Sequence, residues 1–240
     1  MSNRGRDIMI GVFAAALGAA AAFAATTAGA PAVSVTDKAA IEKIVHDYIL
    51  EHPEILPEAM ERLQSRETSK AVAANRTLIE TSYAGAWEGN PNGDVVLVEF
   101  FDYACGYCRA SLPDIDRLLK EDPKLKVVYR EMPVLGPDST AAAELSLRVA
   151  KTGRYSEFHR AAYATRPDVA ARAKLAQQFG VDPKAKDAGA DTEIATNLQL
   201  QSALRLSGTP SWVVGDKLLA GAVGYDALKS AIAEVRAARK

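Results

Sequence analysis

Cysteine and histidine are scarce in this chain, two and three residues in 240, and neither sign of charge prevails, with 29 Lys and Arg against 30 Asp and Glu. Two cysteines cannot staple a disulfide-built scaffold, nor can they supply four thiolates to a zinc ion. A formal charge of −1 gives no global electrostatic reason to bind nucleic acid or an anionic membrane surface. What is present is an ordinary globular composition, 48% apolar and 25% charged, over a length that fits one to two domains with a real core.

The first thirty residues read as an address. Arg4 and Arg6 precede a stretch from Ile8 to Thr36 without a single charge, and Ala22-Phe23-Ala24 and Ala28-Gly29-Ala30 are small-x-small cleavage patterns. Residues 1–30 are therefore expected to be a signal peptide that exports the chain to a periplasmic compartment, where disulfides persist. The alternative is an uncleaved anchor. Ile8 to Ala25 approaches the ~20 apolar residues that a bilayer needs, but it is mostly alanine.

Residues 34–85 carry helical patterning. Ile41, Ile44, Val45, Tyr48 and Ile49 form one apolar helix face, Pro53 or Pro57 opens a second helix, and Ile55, Leu56, Ala59, Met60 and Leu63 continue the apolar side. Beyond Leu63 the face thins to Ala71, Ala74 and Leu78 among polar residues. A long helix that is polar nearly all round bridges solvent or pairs with copies of itself, so this segment is read as a site of homo-oligomerisation. The bland alternative is that its first helix packs on the main domain.

Gly89-Asn90-Pro91-Asn92-Gly93 is a dense turn signal, and a main domain is expected over 93–240. Val95 to Phe101 is an almost unbroken apolar and aromatic run, the mark of a strand buried on both faces. Cys105-Gly106-Tyr107-Cys108 follows, and then a helical pattern with Ala110, Ile115, Leu118 and Leu119 on its apolar side. Strand, C-x-x-C and helix together put Cys105 at a helix N-terminus, where free N–H groups and the positive dipole end favour a thiolate. Cys108, one turn further, is placed to attack a disulfide formed at Cys105. A zinc site would need further ligands, and His46, His52 and His159 show no paired-ligand spacing with the cysteines. A c-type haem would need histidine where Arg109 stands. A purely structural disulfide across so short a loop removes little chain entropy. No metal and no cofactor is implied by the pair itself.

Two further features sit where a redox dithiol needs them. Leu125 to Glu131 is a second strand pattern, so a right-handed parallel crossover is expected. Ser207-Gly208-Thr209-Pro210 leads into the strand pattern Ser211 to Val214. About eighty residues with helical patterning separate the strand near Tyr129 from Trp212, far more than a crossover uses.

These residues carry a resemblance. Glu99-Phe100-Phe101-Asp102-Tyr103 before Cys105-Gly106-Tyr107-Cys108, Pro113 within the following helix, Gly208-Thr209-Pro210-Ser211-Trp212 and Gly221-Ala222 resemble the thioredoxin-fold thiol–disulfide oxidoreductases of the exported DsbA-like group. Ile41 to Leu56 looks like the N-terminal segment of ScsC-type proteins, named for suppression of copper sensitivity. The resemblance implies an α/β thioredoxin-like fold with a helical insertion at about 138–206, preceded by a helical stalk. It also implies a cis peptide at Thr209–Pro210, whose backbone pairs with substrate. Cys105 is then the attacking sulfur and Cys108 the resolving one. Gly106 and Tyr107 tune the site, and Glu99 is a buried carboxyl that exchanges a proton with Cys108. Otherwise Glu99 is a strand-edge residue that reaches solvent. Gly-Tyr between the cysteines, with Thr-Pro opposite, looks like the bacterial disulfide isomerases, which are oligomers kept reduced by a membrane partner. Client proteins with cysteines or disulfides are the implied substrates. The alternatives are a monomeric disulfide-donating oxidase and a copper-tolerance protein using both thiolates as Cu(I) ligands.

Overall fold

The computed structural model describes residues 38–165 and 168–239. The signal-peptide reading lies outside these residues. Among them, no helix is long and apolar enough to cross a membrane.

The chain divides into two compact units, one ending at Met60 and the other starting at Glu61. In the first, α1 (Lys38–Glu51) is a helix without a buried residue, and α2 (Ile55–Glu80) begins after the Pro53 turn. The division falls within α2.

The second unit is built on a five-stranded sheet. Its strands are β1 (Trp87–Gly89), β2 (Val95–Phe101), β3 (Leu125–Glu131), β4 (Ser211–Val214) and β5 (Lys217–Ala220), in the order β1-β3-β2-β4-β5. β2 and β3 run parallel and every other pairing is antiparallel. α3 (Gly106–Glu121) makes the crossover between the parallel pair. Four helices, α4 (Pro137–Ala150), α5 (Tyr155–Ala164), α6 (Val169–Gln178) and α7 (Ala188–Leu204), lie between β3 and β4, and α8 (Tyr225–Ala238) closes the chain.

β2 is central because both its faces are apolar. Leu97 and Phe101 join one core with Ile115 and Leu118 of α3, Leu228 and Ile232 of α8 and Phe158 of α5. Val98 and Phe100 join another with Leu200 and Leu204 of α7 and with Val72 and Ile79 of α2. This last contact differs from the sequence reading, in which α2 became polar all round after Leu63. Val72 and Ile79 are seven residues apart, two helical turns, so they share one narrow stripe that seats on the sheet. β1 likewise precedes the turn taken as the domain boundary. The compact unit that carries the sheet starts at Glu61. Gly89 ends β1 at φ +87°, and a Cβ there would meet the Leu125 carbonyl oxygen at 2.4 Å, so only glycine fits that close approach.

Candidate active site

Cys105 is the N-cap of α3, in extended backbone at φ −78° and ψ 119°. Its amide donates to the Asp102 carbonyl at 3.0 Å, and its own carbonyl receives the Arg109 amide at 3.2 Å. Both cysteines are free thiols. Cys105 is 7% exposed and Cys108 is 1% exposed, so the first is the more accessible of the pair. The Cys105 thiol donates to the Thr209 carbonyl at 3.3 Å, and the Thr209–Pro210 peptide that contains this carbonyl is cis. The sequence-predicted pairing of the dithiol with Thr209 and Pro210, 104 positions apart, is therefore present in space.

Asp102 fixes the turn between β2 and α3. Its buried carboxylate accepts from the Ala104 amide (2.7 Å), the Ser139 hydroxyl (2.7 Å) and the amides of Val134 (2.9 Å) and Leu135 (3.0 Å). One side chain thus ties the cysteine turn to the loop after β3. On α6, the buried Arg172 donates to the Tyr103 carbonyl at 2.7 Å and so holds the same turn from the helical insertion.

Below α3 lies Glu99. It shares the sheet face of Leu97 and Phe101, is 1% exposed, and has no hydrogen-bond partner on Oε1. Burial raises its carboxyl well above the usual range, and the neighbouring Cys105 and Glu88 charges add to the shift. Burial likewise pushes the Cys108 thiol well up, helped by the Glu99 charge and opposed by a backbone hydrogen bond at Asp102. A buried acid and a buried thiol that oppose each other's ionisation hold one proton between them more readily than none. The strand-edge alternative for Glu99 is not what the structure shows.

Gly106 and Tyr107 lie between the sulfurs on the open side. Nothing stands within 4 Å of a Cβ at Gly106, and the Tyr107 side chain is 71% exposed. Arg109 is exposed as well.

Glu131 and His159 were not legible as neighbours of the site. Glu131 is a second buried carboxyl on the same sheet face, raised well above its usual range by burial. His159, considered from sequence only as a metal ligand, is fully buried among Phe101, Tyr103, Tyr129, Tyr155 and Tyr163, and its Nδ1 hydrogen-bonds the Tyr103 hydroxyl at 3.0 Å. Burial takes its pKa down to about 3, so it is a neutral ring. Among the described residues no group of three or more His, Cys, Asp or Glu is gathered for a metal ion.

A family model described as "DSBA-like thioredoxin domain" matches residues 96–233, more than half of the chain. The chain belongs to this family. Residues 37–68 of this DsbA-like chain match a second model, "Copper resistance protein ScsC N-terminal domain". A linker-deletion variant of ScsC from Proteus mirabilis aligns with a TM-score of 0.70 and 27% identity, over 87% of this chain and 99% of that one. A thioredoxin-like oxidoreductase from Silicibacter pomeroyi is 35% identical over 62% of this chain and 91% of its own, at a TM-score of 0.58. A periplasmic thioredoxin-like protein from Salmonella enterica serovar Typhimurium is 26% identical, with coverages of 68% and 95% and a TM-score of 0.62. The curated relatives are of another kind. The Na(+)/H(+) antiporter NhaA 3 of Salinispora tropica is 26% identical over 153 residues, 60% of this chain but 24% of that protein, so the chain spans about a quarter of the length of the curated relatives it matches. The chain thus carries the Cys105–Cys108 pair in a DsbA-like thioredoxin domain, preceded by a segment similar to the ScsC N-terminal domain.

Proposed function

We propose that the chain is an exported, self-associating disulfide isomerase or reductase that acts on client proteins through Cys105. The observation that carries this reading is the asymmetry of the dithiol. One sulfur lies at the helix mouth, 3.3 Å from the Thr209 carbonyl, and its twin is buried one turn inside beside Glu99.

In the forward direction the Cys105 thiolate attacks a client disulfide, forming a mixed disulfide and releasing one client thiolate. Two outcomes follow. A second client thiol can attack the client sulfur, which returns Cys105 as a thiolate and leaves the client's disulfide rearranged. Alternatively Cys108, as its proton passes to Glu99, attacks Cys105; the client leaves reduced and the 105–108 disulfide remains. A membrane redox partner would return that disulfide to the dithiol. Thr209 and Pro210 would seat the client's extended backbone across from Cys105, and Gly106 leaves room for its approach.

Self-association is supported by the helical segment. Ile41, Ile44, Val45, Tyr48, Leu56, Met60 and Leu63 are all exposed, apolar faces that need a cover. A periplasmic setting is supported by the Salmonella relative and by the composition of residues 1–30. A copper role has narrower support. The matched segment 37–68 is described by copper resistance but contains no cysteine, so a thiolate site for Cu(I) would lie on Cys105 and Cys108 themselves.

Refolding of scrambled ribonuclease decides the reading. The wild-type chain is expected to restore activity and the Cys105→Ala variant is not; equal recovery in both would overturn it. The reduction potential of the dithiol separates a reductant or isomerase from a disulfide donor, and anaerobic Cu(I) titration against a chelator tests copper.

A further inference from the structure

Glu99 is sealed from solvent, yet each turnover that ends in a 105–108 disulfide delivers the Cys108 proton to it. The titratable groups electrostatically coupled to it are Cys105 at the mouth of α3, Cys108 within it, Glu88 from β1, Tyr129 and Glu131 from β3 and Tyr163 from α5. Two lines of polar groups lead away. Tyr129 is the register partner of Glu99 on β3 and donates its phenol to Glu88 Oε1 at 3.3 Å. Arg160 grips both oxygens of Glu88, at 2.6 and 2.7 Å, and also bonds Asp116. The Arg160 and Asp116 side chains are 36% and 52% exposed, so this line ends in water. The other line runs from Glu131 to Ser146 and Tyr155, and on to Tyr103 and His159. Every one of these is fully buried, and the line has no outlet.

We propose that Tyr129 and Glu88 form the proton outlet of the buried dithiol. The Cys108 proton passes to Glu99; the Glu99 proton moves to the Tyr129 oxygen as the phenol's own proton moves to Glu88; Glu88 releases it to water beside Arg160 and Asp116. Tyr129 ends as it began, and no electron leaves the sulfur exchange. The sequence reverses when the 105–108 disulfide is reduced and the leaving Cys108 sulfur needs a proton. Glu99 Oε1 makes no hydrogen bond, so this oxygen is free for the proton step toward the phenol of its register partner. Both residues act through Glu99 and are positioning residues for the proton. The proposal rests on the reading that Glu99 serves Cys108.

The test follows the mixed disulfide. Reduced full chain is mixed with glutathione disulfide, quenched in acid, and the Cys105–glutathione adduct is followed by mass. Tyr129→Phe is expected to slow adduct decay about a hundredfold at neutral pH, at the low end of general acid–base effects, and to make it depend on buffer concentration. Glu88→Gln is expected to do the same. Alkylation of Cys105 by iodoacetamide stays unchanged, which a loosened fold would not leave intact. Unchanged decay in both variants, while Glu99→Gln slows it, overturns the outlet and leaves the role of Glu99 standing. Unchanged decay in Glu99→Gln removes the underlying reading. Slowing by Glu131→Gln alone would move the route to the other carboxyl and overturn the assignment.

Discussion

Cys105 opens α3 and Cys108 lies one turn inside it, so the same helix holds one sulfur at its mouth and buries the other. Cys108→Ala is therefore expected to trap clients as mixed disulfides on Cys105, seen as a dithiothreitol-sensitive band on non-reducing gels. Absence of that band under conditions where the wild type turns over would deny Cys108 its resolving role. His159 supports a prediction of another kind. Its folded pKa is about 3 against 6.5 for the free side chain, so only the unfolded chain takes up its proton between these values. Stability on its account is complete above pH 6.5 and falls as the pH drops toward 3, by ~1.4 kcal/mol per pH unit. Urea titrations of His159→Phe should show a stability slope shallower by close to one proton over that window; an identical slope would mean the ring is not buried neutral. Glu99 and Glu131 oppose this sign. Their pKa values are raised, so what they contribute is complete at low pH and declines as the pH rises above the ordinary carboxylate range. Glu99 was legible in the sequence because a carboxyl stands alone in an apolar strand. Glu131 and His159 were not, since their burial depends on groups from elsewhere in the chain, Ser146 of α4 and Tyr155 of α5 at Glu131, and Phe101, Tyr103 and Tyr129 around His159.

At the scale of elements, α2 shows what patterning can and cannot reveal. Its exposed first half was readable as an apolar face. The seating of its second half was not, because two buried residues in a polar helix make a faint signal and because the partner is a buried cation on another element. Arg130 of β3, 2% exposed, donates to the carbonyls of Leu78, Ile79 and Thr81 at the end of α2 and to Glu193 and Asn197 on α7. One guanidinium thus closes the open carbonyl end of α2 and clamps it to the sheet and to α7. Arg130→Met leaves the Ile79 carbonyl and Asn197 without their buried donor and Glu193 without its cation, and is expected to cost about 3–5 kcal/mol. Chemical denaturation checks it, and a loss below ~1 kcal/mol would show that water replaces the arginine. By contrast β2, α3, β3 and β4 were readable in place and order, because each is dictated by its own local run of residues. β1 has three residues and owes its existence to pairing with β3.

For the whole molecule, the chemistry and the proposed self-association are separable. The dithiol, Asp102, Glu99 and the Thr209–Pro210 turn all lie within the unit that starts at Glu61, whereas most of the exposed apolar side chains, from Ile41 to Met60, lie before it. Truncation would not divide the two cleanly, because Val72 and Ile79 of α2 belong to the core of the sheet. A charge placed on the open face does. Ile44→Asp removes no buried contact, since α1 has no buried residue, but it sets a carboxylate where a second copy would have to pack. Sedimentation should then show the variant at the mass of a single chain and the wild type at a multiple of it. Reduction of a small disulfide such as glutathione disulfide, which needs only one Cys105, should stay within about twofold of wild type, because a surface change remote from the site leaves the local chemistry alone. Recovery of scrambled ribonuclease should fall, since a misfolded client is held by several sites at once and local concentration is lost with the assembly. A variant that becomes monomeric yet isomerises as well as the wild type would separate the helical segment from client handling. Equal masses for both proteins would mean that the apolar face has some cover other than a copy of itself.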